Sequence, residues 1–326
     1  KIMVFDLFCA GLTTICELVL PLIIKYFTNT AMEDVGKLAL STVLLLGGLY
    51  LVLRAIDAAA NYYMASTGHI MGTRIETDMR RDLFVHLQKL SFTYYDSAKI
   101  GHIMSRITTD LFDVTEFAHH CPEEFFIAGI KITASFVILL NVNVWLTLIM
   151  FAVIPLMLLV TTAVRKKMRA AFKEQRQRCG ELNAGVEDSL LGIRVVKSFA
   201  NEALENEKFE RGNRDFFRVK AKAYKYMAAF QTSTRVFDGV MYIVVVVAGA
   251  IFMIYGKITP GDYVAYLLYV STLLASVRRI IEFTEQFQRG MTGIERFTEI
   301  MDIEPDIRDL PGAAELKNVQ GEIEFW

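Results

Sequence analysis

Residues 132–164 carry no charged side chain. A run of that length does not suit a water-exposed surface, and one crossing of the hydrocarbon core needs only about 20 apolar residues at 1.5 Å per residue. Asn141-Val-Asn143 interrupts the run with two amides, so it reads as two membrane helices joined by a tight turn. Four other stretches qualify or nearly qualify. The six predicted spans are at about 7–26, 38–64, 124–140, 144–164, 227–255 and 263–277. Hydrophobic residues make up 53% of the chain and its mean hydropathy is +0.35, far above an ordinary soluble domain.

Lysine and arginine set the direction, because positive residues resist translocation and stay cytoplasmic. The short connections 27–37, 141–143 and 256–261 hold only Lys37 and Lys257. Residues 74–106 hold six basic side chains, residues 165–225 sixteen, and residues 278–317 another six. The long segments are therefore expected inside, with both termini cytoplasmic and the protein in the plasma or inner membrane. Two of them, at about 65–123 and 165–226, keep helical periodicity with few breakers. Folded out and back, each projects roughly 40 Å below the membrane. A stalk that long implies something held at its tip.

A net charge of −1 gives no reason to expect nucleic acid as a partner. Cys9, Cys16, Cys121 and Cys179 have no paired spacing and are expected as thiols. No nucleophile–base pair stands out, so no catalytic residue is assigned. Ionisable groups within a bilayer are costly and usually face protein or a wet cavity, which makes Glu17, Arg54, Asp57, Lys131, Arg235 and Asp238 cavity candidates. Tyr62 joins them, as the other aromatics Tyr63, Phe230, Tyr242, Tyr266 and Tyr269 could, although aromatics also sit at helix interfaces and the headgroup belt. Arg54 with Asp57, and Arg235 with Asp238, stand three apart and could satisfy one another instead. His119, His120 and Cys121, near Glu116, Glu123 and Glu124, offer zinc-ligand types at helical spacing. Their place at the mouth of the third span accounts for such polar residues without an ion, and no metal or cofactor is expected in this chain.

Three segments carry a family resemblance. Leu90-Ser-Phe-Thr-Tyr-Tyr-Asp-Ser-Ala-Lys-Ile-Gly-His-Ile-Met-Ser-Arg-Ile-Thr-Thr-Asp110 resembles the first intracellular loop of ATP-binding-cassette exporters. Gly192-Ile-Arg-Val-Val-Lys-Ser-Phe-Ala-Asn-Glu202, with Phe209 following, is similar to their second loop. Gln286-Phe-Gln-Arg-Gly-Met291, Glu295-Arg-Phe297 and Ile303-Glu-Pro305 look like the end of the last membrane helix and the linker to an ATPase domain. In that family Gly-x-Ile-x-Phe opens the ATPase domain. Residues 1–320 are thus expected to be the membrane domain, and Gly321-Glu-Ile-Glu-Phe325 to begin a nucleotide-binding domain. The chain has no Gly-x-x-x-x-Gly-Lys-Ser/Thr loop to cradle phosphates, so ATP and Mg are expected with that domain.

What the resemblance implies is an all-α membrane protein with six transmembrane helices and long cytoplasmic extensions, working as a domain-swapped dimer by alternating access. It places coupling helix one at Ser97, Ala98, Lys99 and Ile100, and coupling helix two at Phe199, Ala200, Asn201 and Glu202, running on to Leu204. The second would insert into the partner chain's ATPase domain. Implied partners are the bilayer, a second transmembrane domain (identical or different), nucleotide-binding domains, and an amphipathic small molecule, lipid or peptide as cargo. A reading of another class is a stand-alone channel or scaffold that works without ATP. An importer permease is disfavoured, because such permeases lack paired stalks of this length.

Overall fold

Ten α-helices and no strand are found among the described residues of the computed structural model, which are 1–307, 309, 312–314 and 317–326. In chain order they are α1 (Ile2–Glu33), α2 (Leu40–Tyr63), α3 (His69–Leu87), α4 (Phe92–Ser97), α5 (Ile100–Ser105), α6 (Leu111–Leu140), α7 (Val144–Leu191), α8 (Ile193–Ser198), α9 (Glu202–Ile254) and α10 (Pro260–Met301). A π-helical turn at Met64–Gly68 carries α2 into α3, and another at Arg106–Asp110 carries α5 into α6.

Among the described residues, five helical segments are long and apolar enough to cross a membrane: Ile2–Glu33, Leu40–Leu87, Val144–Leu191, Glu202–Ile254 and Pro260–Met301. The predicted third span, on α6, is not one of them. Glu123, Glu124 and Lys131 all fall in its last five turns, and each ionisable group weighs heavily against burial in hydrocarbon. The charge-free run after Lys131 breaks where expected. Asn143 caps α7, its side chain accepting from the Leu146 N–H at 3.0 Å. The 256–261 connection ends in a reciprocal cap: Asp262 accepts from Thr259 N at 2.9 Å while the Asp262 N–H donates to Thr259 Oγ1 at 3.1 Å. Pro260 takes the first helical position, where its missing N–H costs nothing.

The chain divides into two units. The first comprises Lys1–Leu20, Val43–Thr133 and Ala275–Trp326. Here α3 runs antiparallel to the α5–α6 segment, since Thr115 Oγ1 donates to Gly72 O at 3.4 Å and Arg80 Nε to Ile107 O at 3.3 Å. Their far ends close on a core of Leu83, Leu87, Leu90, Ile103 and Ile300. The end of α10 thereby packs on the first stalk tip, and Ser91 Oγ donates to Asp306 Oδ2 at 2.6 Å just beyond it. α10 also lies antiparallel along α6. Arg279 pairs with Glu124 at 3.0 Å, Arg289 with Asp113 at 3.5 Å and Arg296 with Asp110 at 3.2 Å. Two glycines let these backbones approach: a Cβ on Gly290 would lie 2.1 Å from Phe117 Cβ, and one on Gly293 2.7 Å from Asp110 O.

The second unit comprises Pro21–Thr42 and Ala134–Leu274. α7 and α9 form its out-and-back stalk. Lys222 meets Glu174 at 3.0 Å, and Phe172 meets Tyr224 edge-on with ring centroids 6.4 Å apart. Ser189 donates to Glu205 near the tip. At the other end Lys25 pairs with Asp262 at 2.7 Å and Asn29 Oδ1 accepts from Gly261 N at 2.8 Å.

The segments expected as coupling helices are not continuous helix. Ser97 ends α4, Ala98 and Lys99 are extended, and Ile100 begins α5, so these four residues form the break between two short helices. At the second tip the short helix is Ile193–Ser198, and Phe199, Ala200 and Asn201 form the turn into α9. Ala200 sits at φ +49°, a left-handed conformation in which an L-residue ends a helix rather than continuing it.

Candidate functional site

Both tips present apolar side chains to solvent. Phe199 is 76% exposed and Phe92 87%, with Ile100, Ile193 and Val195 also exposed. An exposed phenylalanine at the end of a stalk is what an aromatic docking anchor requires. The second turn is held by Lys197, whose Nζ donates to Glu202 Oε1 at 2.7 Å. That hydrogen bond keeps the Glu202 carboxyl below the usual glutamate range. Beside this turn α7, α8 and α9 enclose a cleft of about 860 Å³, lined by Leu182, Val186, Val196 and Phe209 among others.

Four of the cavity candidates come together in the first unit. Lys131 reaches Glu17 at 2.5 Å and Arg54 reaches Asp57 at 2.9 Å, and Cys16 lies within electrostatic reach of Asp57, Arg54 and Glu17. Two cations meet two anions, so the group is neutral and every charge is paired. Tyr62 is exposed, whereas Tyr63 packs edge-on against Phe5 with centroids 4.7 Å apart. Arg235 is exposed and Asp238 half-buried on α9, in the second unit. Tyr266 and Tyr269 are fully buried and so belong to a helix interface.

The histidines form a constellation that sequence spacing missed. His69, from α3, joins His119 and His120 of α6, and one ring nitrogen of each lies within 4.8 Å of those of the others. Ring centroids are 4.1 to 4.9 Å apart. Asp6 of α1, fully buried, approaches the same group: the Cβ position of Gly68 lies 3.4 Å from Asp6 Oδ1 and 3.8 Å from His119 Cδ2. Cys121 points elsewhere, its Sγ 3.7 Å from Phe283 O, and Glu124 is engaged by Arg279. His120 precedes the predicted third span, and burial with the neighbouring His119 lowers its pKa. Nothing in the 119–124 pattern could have named a partner fifty residues upstream.

The family model for the ABC transporter transmembrane region matches residues 3–277. The chain belongs to the exporter-type ABC transporter transmembrane family. It is similar to an uncharacterized ABC transporter ATP-binding protein, YwjA, of Bacillus subtilis strain 168, at 36% identity over 98% of this chain and 55% of that protein. ATP-dependent lipid A-core flippases are also similar. That of Pseudomonas syringae pv. tomato is 29% identical over 81% of this chain and 43% of its own length, and that of Syntrophus aciditrophicus 25% over 99% and 53%. The chain spans about half the length of these relatives.

Proposed function

We propose that this chain is the cargo-translocating domain of an ATP-driven exporter, with six spans, working as a dimer by alternating access and coupled through its two stalk tips to nucleotide-binding domains. The observation that carries this reading is the exposed Phe199 at the turn between α8 and α9. An aromatic side chain held out at the end of a long two-helix stalk makes no contribution to its own stalk commensurate with its size. It suits a pocket in another domain. The first tip supports the same reading, because it packs on the end of α10, the segment leading toward the expected ATPase domain at Gly321. The lipid A-core flippase relatives favour an amphipathic, lipid-like cargo.

The test compares Phe199→Ala with wild type in two settings. In the full-length transporter, cargo-stimulated ATPase activity and transport should fall at least about tenfold, since truncating a hot-spot anchor costs about 2 kcal/mol or more. In the 326-residue chain alone, thermal stability should be unchanged. A large stability loss there places Phe199 inside its own stalk and defeats the docking role, as does unchanged stimulation at full length. ATP-independent flux of cargo through reconstituted protein would favour the channel reading.

A further inference from the structure

We infer that Asp6, His69, His119 and His120 form a binding site for one divalent transition-metal ion of the zinc class, held by three imidazole nitrogens and a carboxylate oxygen. Three imidazoles and one carboxylate would supply the four donors of a tetrahedral structural site. The four residues come from three helices of one unit, α1, α3 and α6. All lie just outside the predicted first, second and third spans, at what the charge distribution makes their cytoplasmic ends.

Three atoms of these residues lack a hydrogen-bond partner. Asp6 Oδ1, His119 Nε2 and His120 Nδ1 are buried and have no hydrogen-bond partner among the described residues. Asp6 and His119 are each only 1% exposed, and a buried polar atom left unpaired is costly. The opposite edges of the two rings are already arranged as a metal's outer shell arranges them. His119 Nδ1 faces Thr115 O at 2.8 Å; a carbonyl only accepts, so Nδ1 carries the proton and Nε2 keeps its lone pair. His120 Nε2 faces the Glu116 carboxylate at 3.7 Å, and its Nδ1 is the buried nitrogen with no hydrogen-bond partner.

Room is provided on α3. A Cβ on Gly72 would lie 2.8 Å from Thr115 Cγ2 and 3.0 Å from His119 Nδ1, so only glycine admits α6 this close. Ligands of a tetrahedral zinc stand about 3.4 Å apart, and the nitrogens are within 4.8 Å, a gap that small side-chain rotations close. His69 is exposed and gives the ion a way in. Bound there, the ion ties α1, α3 and α6 together and favours whichever transport state holds them adjacent.

The test uses the full-length transporter in detergent, without a polyhistidine tag and without ATP or cargo, so its outcome leaves the transport reading untouched. Zn2+ is the probe, followed by dialysis and metal analysis, with X-ray absorption for the ligand shell. We expect one zinc per chain with N/O ligands at about 2.0–2.1 Å, and affinity lowered at least about tenfold in His69→Ala, His119→Gln and Asp6→Asn. His102→Ala, on α5, should bind as wild type does. His69 is exposed, so His69→Ala tests the site even where a buried variant fails to fold. No zinc retained by wild type, a sulfur-containing shell, or unaltered affinity in His69→Ala overturns the proposal.

Discussion

The phenol oxygen of Tyr266 lies 2.8 Å from Oγ1 of Thr147 and 3.0 Å from the carbonyls of both Leu139 and Asn143. One hydroxyl from α10 thus ties the end of α6 to the start of α7 at the hairpin that the two asparagines create. Tyr266 is fully buried, so removing the oxygen removes this tie at a site closed to bulk solvent, while both carbonyls keep their backbone N–H donors. Tyr266→Phe should lower stability by about 1 kcal/mol, the scale of a hydrogen bond between membrane helices. Tyr62→Phe, at an exposed site, should leave it unchanged. Denaturation of both variants in the same detergent decides the matter; equal stability of Tyr266→Phe and wild type would show that the tie is idle.

The approach of α10 to α6 depends on Gly293. A methyl group there would meet Asp110 O at 2.7 Å and Val114 Cγ2 at 2.8 Å, and a backbone oxygen cannot step aside as a flexible side chain can. Gly293→Ala is expected to cost about 1–3 kcal/mol through overpacking. Gly180 on α7 has nothing within 4 Å of its Cβ position. Gly180→Ala should therefore be neutral or stabilising by up to about 1 kcal/mol, because alanine is the better helix former. A lowered thermal midpoint for Gly293→Ala and an unchanged or raised one for Gly180→Ala are the expected outcome.

Glu17 and Lys131 stand 2.5 Å apart in segments predicted to enter the membrane. Their side chains are partly accessible, so the interaction is screened below that of a fully buried pair. A double-mutant cycle with Glu17→Gln and Lys131→Met should give a coupling of about 1 kcal/mol. Additive single effects would mean that the two side chains act independently, and would return both to the list of cargo contacts.

Orientation is open to labelling. Glu33 at the end of α1, Lys257 on the connection before α10 and Ser97 at the first stalk tip are all exposed. In a background lacking Cys9, Cys16, Cys121 and Cys179, a cysteine at position 33 or 257 should react with a membrane-impermeant reagent in intact cells. One at position 97 should react only after permeabilisation. The reverse pattern would invert the proposed topology.

Much of this architecture was legible because the bilayer and the helix impose simple one-dimensional rules. A charge-free run must cross hydrocarbon, and Asn143 and the Thr259-Pro-Gly-Asp262 segment announce helix starts through chemistry between near neighbours. The tip boundaries were less legible. Ala98, Lys99 and Ala200 leave the helical conformation without glycine or proline to signal it, and the charges on α6 left the third span ambiguous.

The sequence by itself determined the helices and the family, both of which depend on composition and on spacing within a few residues. Only the tertiary structure decided which charges neutralise one another and which imidazoles share a site. Glu17 meets Lys131 and His69 meets His119 and His120 across long stretches of chain. The physical reason is that a helix fixes the relative positions of residues three or four apart, whereas the rotation and depth of one helix against another follow from packing. Gly72, Gly290 and Gly293 set those close approaches, and no periodicity in the sequence says which surface each one meets.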